Sequence, residues 1–185
     1  MSKLITIAVV LFGINFSAGL QEPLEQYPIN SKASPDTFKE YVVNHDDYTL
    51  KLSLENTNSN LPILVIEMNL KNNAHFISPL EEKEFTGKFY FDFGSYKNMA
   101  IKGQLTENPT SIGKVLYTNN DSTKEKIKWV TENTTYKQPL RFKTIHNFEV
   151  YGRIQFTIEP SCTFEEIPFV ISYQDGEMVF VEPKC

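Results

Sequence analysis

An all-β fold, an immunoglobulin-like antiparallel β-sandwich, is what this sequence predicts, and three observations carry that reading. Between Asn147 and Glu159, Phe148, Val150, Ile154, Phe156 and Ile158 face one way. Asn147, Glu149, Tyr151, Arg153, Gln155, Thr157 and Glu159 face the other. Alternation of this length marks a strand with one buried face and one wetter face. Asp175-Gly176 stands between two apolar runs, and it suits a type I′ hairpin turn, which needs positive φ at both central residues. No segment sustains a helical period. Roughly seven to nine short strands joined by polar turns fit a sandwich. A closed barrel is the alternative, since periodicity does not separate the two.

The chain opens "MSKLITIAVVLFGINFSAGL". Lys3 provides a short positive region, Leu4 to Ile14 an apolar run, and Ser17-Ala18-Gly19 small residues for a peptidase. This reads as a cleaved export signal over residues 1–19, because the apolar run is too short for a membrane span and polar residues follow at once. The mature chain should therefore be secreted or periplasmic. Residues 20–40, with Pro23, Pro28 and Pro35 among polar residues, read as a leader or linker. Residues 41–185 read as one sandwich domain.

Within that domain Leu50, Leu52 and Leu54 alternate with Thr49, Lys51 and Ser53. Leu64, Ile66, Met68 and Leu70 share a face, and "ENTNSN" between the two runs is a loop. Phe89, Phe91 and Phe93 alternate with Lys88, Tyr90 and Asp92. Met99, Ile101, Gly103 and Leu105 line a further strand. Residues 107–135 read as loops with one or two short strands.

About 165 residues after cleavage suffice for one core. The net charge is −5 and the pI about 5.3. The 18 Lys and Arg are scattered among 23 Asp and Glu, so there is no basic stripe for nucleic acid. No second apolar run is long enough to span a membrane. Oligomeric state is not legible.

Only two cysteines occur, Cys162 and Cys185. In an exported chain such a pair is more often bonded than free. If Asp175-Gly176 is the hairpin loop, Gln174 faces Glu177, Phe169 faces Glu182 and Cys185 faces Glu166. Cys162 lies further back, at an end made irregular by Pro160, Pro168 and Pro183. A Cys162–Cys185 bridge needs Cα atoms within ~7 Å and would stabilise the fold by roughly 3 kcal/mol. Free or intermolecular thiols are the alternative.

Other chemistry is sparse. His45, His75 and His146 lie on separate segments. His45-Asp46-Asp47 has metal-ligand residue types, but a metal needs several convergent ligands, so these residues read as solvated turns. No nucleophile elbow or phosphate-binding glycine loop occurs. Neither a metal nor a cofactor is implied. Trp129, Tyr117 and Tyr136 fall in or beside the irregular region. Exposed loop aromatics can stack on sugars or anchor a partner, while core packing is the plainer expectation for Trp129. Asn120-Asp121-Ser122 and Asn133-Thr134-Thr135 match the glycosylation pattern, which matters only in a eukaryotic secretory route.

Several stretches, in order, resemble the N-terminal periplasmic domain of the thiol:disulfide interchange protein DsbD. They are "LKNNAHFISPL" (70–80), "FTGKFYFDF" (85–93), "LTENPTSIG" (105–113), "TYKQPLRFKTI" (135–145), "VYGRIQFTIEPSC" (150–162) and "IPFVISY" (167–173). The resemblance implies an immunoglobulin-like sandwich that takes electrons from a membrane domain and passes them to thioredoxin-like partners through two cysteines in one loop. Cys162 matches the first of those cysteines. The second would fall at Pro168, so the local dithiol is missing. Exchange needs an attacking thiolate and a second thiol to resolve the mixed disulfide, a role open only to Cys185. Glu159, Glu165 and Glu166 around Cys162 should raise a thiol pKa, and Lys184 is the only plausible local cation. The resemblance thus implies an interaction module for thioredoxin-like or other redox partners that is not itself an enzyme. Two alternatives stay open. One is an active exchanger using Cys162 and Cys185. The other is a ligand-binding or structural sandwich with a structural disulfide.

Overall fold

The structure is a computed structural model, and it describes residues 37–57, 61–94, 97–116, 125–144 and 146–183. The export signal, most of the leader, Tyr117, the acceptor pattern at Asn120, Lys184 and Cys185 lie outside the described residues.

One sheet holds β1 (Thr37–Phe38), β6 (Tyr90–Asp92), β12 (Phe148–Ile158), β13 (Thr163–Gln174) and β14 (Glu177–Val181), in the order β1-β14-β13-β12-β6. The facing sheet holds β2 (Glu40–Asn44), β3 (Tyr48–Glu55), β4 (Ile63–Leu70), β7 (Met99–Ile101), β8 (Thr106–Asn108) and β11 (Thr134–Phe142). Its order is β2-β3-β4-β11-β7, with β8 also paired to β11. A small third sheet, β5-β10-β9, is made of β5 (Phe76–Ile77), β9 (Ile112–Leu116) and β10 (Glu125–Val130). Every strand pair is antiparallel. Both large sheets end in edge strands among the described residues, so this is an immunoglobulin-like sandwich and not a closed barrel.

Alternation places the core. The inward residues of β12 are buried one after another, and so are Tyr48, Leu50 and Leu52 on β3 and Leu64, Ile66 and Met68 on β4. They meet in one cluster with an aromatic centre. Phe156 lies 5.2 Å from Tyr48, 5.6 Å from Phe76 and 5.5 Å from Phe89, measured between ring centroids. Such aromatic pairs add stabilisation beyond the area they bury. The hairpin register is the one Asp175-Gly176 predicts. Gln174 pairs with Glu177 and Ile171 with Phe180, with φ of 50° at Asp175 and 89° at Gly176.

Three expectations need correction. Strand structure begins before residue 41: Thr37 and Phe38 pair with Val181 and Phe180, and Phe38 packs on the core. A two-residue strand is too short to show a period. The strand through Met99 stops at Ile101, which is 50 % exposed, because Gly103 turns the backbone at a φ of 69°. Residues 107–135 hold more strand than expected, with β9, β10 and parts of β8 and β11. Among the described residues there are fourteen strands, more than predicted, and five of them span only two or three residues.

The long connection between β5 and β6 is pinned by Glu81. Its carboxylate accepts the backbone N–H of Lys128 at 2.7 Å and of Lys83 at 3.2 Å, and the Lys128 ammonium donates to the Leu80 carbonyl at 2.9 Å. Burial alone would raise the Glu81 pKa. The backbone donors of Lys128, Lys83 and Glu82, with the Lys128 charge, outweigh burial and hold it below its usual value. A carboxyl whose pKa is lower folded than unfolded contributes stability above its unfolded pKa, and loses it as pH falls through the folded value. Glu81→Gln should therefore cost about 1–2 kcal/mol at neutral pH, and the deficit should shrink below about pH 4. Urea midpoints at pH 7 and pH 3.5 check this. An equal deficit at both values would contradict the assignment.

Candidate functional site

Three turns meet at the end of the sandwich that carries Cys162. The β2–β3 turn brings His45, Asp46 and Asp47, the β4–β5 connection brings Lys71 to His75, and the β12–β13 turn brings Glu159 to Cys162. "KNNAH" favours a tight reversal, because Asn tolerates the left-handed region. Asn72 and Asn73 both occupy it, at φ of 53° and 58°.

The turns are laced together. Lys71 N–H donates to the Asp47 carbonyl at 2.8 Å. Its ammonium reaches the His45 and Tyr48 carbonyls at 2.9 and 3.4 Å. The Asn72 amide donates to the Asp46 carbonyl at 3.1 Å. His75 and Glu159 exchange backbone hydrogen bonds, both 2.9 Å, and the Ser161 hydroxyl donates to Asp47 Oδ2 at 3.0 Å. Tyr48, fully buried, donates its phenol to Glu165 Oε2 at 2.8 Å. Burial, and then Glu165, push that phenol well above its usual range. His45 stacks on Tyr48 with 4.9 Å between centroids, and its Nε2 lies 4.0 Å from Glu165 Oε1.

Cys162 is an exposed free thiol at the tip of the β12–β13 turn, in left-handed backbone with φ of 52°. Its Sγ–H donates to Glu159 Oε2 at 3.0 Å. That hydrogen bond, the Glu159 charge and slight desolvation hold the thiol pKa above its ordinary value. Of the three carboxylates that the sequence puts around Cys162, Glu159 acts directly. Glu165 is taken by Tyr48, and Glu166 accepts from the Gln155 amide. A thiol so placed is protonated at neutral pH and a weak nucleophile.

The remaining sequence candidates scatter. His75 closes the bridge to Glu159, and its Nδ1 lies 3.1 Å from the Asn73 carbonyl. His146 is exposed in the turn before β12. The described residues contain no group of three or more His, Cys, Asp or Glu that could hold a metal. No helix among them is long and apolar enough to cross a membrane. Trp129 is a correction. It sits half-buried on β10, edge-on to His75 at 5.0 Å, and outside the core cluster. Tyr136 instead lies in the core. Its hydroxyl is buried with no formed hydrogen bond, although burial and then the adjacent Glu107 carboxylate drive its pKa upward. The roles of Tyr48 and Ser161 carried no sequence signal, because each depends on a residue more than a hundred positions away.

No family model matches this chain, and no curated protein matches it. Among solved structures it is similar to the GAE domain of GGA2p from Saccharomyces cerevisiae, at 9% identity and a TM-score of 0.39. That likeness covers 74% of this chain and 98% of the GAE domain, and it carries no argument about function.

Proposed function

We propose that this protein is an exported interaction module of the cell envelope. In this reading it presents its Cys162 end to a thioredoxin-like or other redox partner without catalysing thiol exchange itself. The resemblance to the DsbD N-terminal domain motivates the reading. The observation that supports it is the state of Cys162, an exposed thiol on a braced turn with a carboxylate holding its proton. Such a thiol is accessible to a partner, but it is not armed to attack one.

Alkylation with mass shift tests this on the mature protein and on Cys185→Ser. The expected result is a Cys162 that alkylates in the folded state, more slowly at pH 7 than an unstructured cysteine peptide. Its rate should rise with pH and reach its midpoint above about 8.5. Glu159→Gln should speed the reaction at pH 7, and insulin reduction should show no turnover. Rapid alkylation at neutral pH, or a Cys162–Cys185 bond that opens in mild reductant, would favour the exchanger. A bond that resists reductant until the protein is denatured would make it a structural staple and sink the interaction reading.

A further inference from the structure

The β8–β9 connection and the β10–β11 hairpin border a hollow of about 190 Å³, whose lining includes Pro109, Ser111, Ile112, Trp129, Glu132 and Thr134. It lies on the β9 side of β10, since the third sheet runs in the order β5-β10-β9. The turns around Cys162 lie on the other side. His75 leads into β5 and meets the Trp129 indole edge-on at 5.0 Å, so the ring is braced from the side away from the hollow. Trp129 pairs with Ile112 across the strands, and the two side chains therefore leave the same face of the small sheet.

Two of the polar side chains here are already committed. The Ser111 hydroxyl donates to Glu107 Oε2 at 2.8 Å, and the Thr134 hydroxyl donates to the Glu132 carbonyl at 2.9 Å. The Glu132 carboxylate is not. Among the described residues it has no ion-pair or hydrogen-bond partner. No Lys, Arg or His lines the hollow. The lysines on the adjoining strands are spent elsewhere, Lys128 on the Leu80 carbonyl and Lys137 on Glu55. The apolar rim is open as well. Ile112 is 80 % exposed, more than any other large hydrophobic side chain among the described residues. An aromatic ring, an apolar rim and an unneutralised carboxylate thus share one small hollow.

We propose that this hollow receives an arginine side chain of a protein partner, with the guanidinium against Trp129 and Glu132 and the methylenes on Ile112 and Pro109. Arginine has the same division. Its planar, weakly hydrated guanidinium stacks on aromatic rings and pairs with carboxylates, and its stem is apolar. Tryptophan and arginine are also the residues that most often anchor protein interfaces. Ile112 favours a protein over a free cation. A small ion would leave that side chain in water, whereas the residues flanking a partner's arginine would cover it. The site does not involve Cys162 and does not rest on the redox reading.

Trp129 is the only tryptophan in the chain, so intrinsic fluorescence reports on the hollow directly. The mature protein would be titrated to millimolar concentration with capped Ala-Leu-Xaa-Leu-Ala peptides carrying arginine or citrulline at the centre, and with guanidinium chloride, calorimetry running in parallel. The expected result is a saturable shift with the arginine peptide, unchanged in Cys162→Ser. The citrulline peptide keeps the shape without the charge, and should bind about tenfold more weakly. Glu132→Gln should weaken the arginine peptide about threefold or more and leave the citrulline peptide unchanged. Trp129→Phe should weaken it by a similar factor in calorimetry, and Ile112→Ser should weaken the peptide but not the guanidinium ion. Glu132 and Ile112 are both exposed, so their variants keep the fold. Equal affinity for the two peptides overturns the proposal. So does a Glu132→Gln variant that binds as the parent does, or a flat response to the arginine peptide. Guanidinium ion binding as tightly as the peptide would make this a small-cation site and overturn the protein partner.

Discussion

Phe156→Ala is expected to destabilise the fold by about 3–5 kcal/mol, the range for truncating a buried aromatic ring. Phe156 is fully buried in the middle of β12, and three other rings pack around it within 5.2–5.6 Å. Those rings come from Tyr48 on β3, Phe76 on β5 and Phe89 before β6. Removing Phe156 therefore loosens both large sheets and the small third sheet at one point. The neighbours cannot collapse into the space, because Tyr48 is tied to Glu165 and Phe89 stacks on Tyr136 at 5.3 Å. A urea midpoint that falls with an unchanged slope would report this loss. A loss under about 1 kcal/mol would mean that the aromatic centre does not hold the sheets together.

Gly152→Val should cost about 3 kcal/mol, by overpacking where Phe156→Ala leaves a void. Gly152 stands at an inward position of β12, where the alternation calls for an apolar side chain. Its cross-strand partner is Phe169, whose ring lies over it. A Cβ at residue 152 would meet ring atoms of Phe169 at 2.3, 2.6 and 2.8 Å. The ring cannot yield easily, since it is buried and set edge-on against Phe93 at 5.6 Å and Phe180 at 6.4 Å. The pair should be coupled. In a Phe169→Ala background the same substitution should cost far less, and a double-mutant cycle would show an interaction of about 1–3 kcal/mol. Additive losses would place the cost in the backbone and not in the ring.

The Cys162 end shows where sequence reading stops. The carboxylates near Cys162 are visible as neighbours in the chain, and the direction of their effect follows from charge alone. Which of them touches the sulfur is not visible. Glu159 reaches it from three residues away across the turn, whereas Glu165 and Glu166 are drawn off by Tyr48 and Gln155. Trp129 gives the same lesson on a strand. Lys126 and Lys128 alternate with Ile127 and Trp129, but that period does not set depth: Ile127 and Val130 are buried, whereas Trp129 stays half-buried.

The all-β class, the long strands, their buried faces and the register of the last hairpin are written in the sequence, whereas the choice of sandwich over barrel is not. Those features follow from a period of two and from local turn chemistry, both of which act over a few residues. The short strands, the sheet edges, the glycine beneath Phe169, the partner of each carboxylate and the half-buried setting of Trp129 come only with the tertiary structure. Each of these joins groups from distant segments, and no local pattern encodes which of many polar or aromatic residues will be neighbours once two sheets have closed over one core.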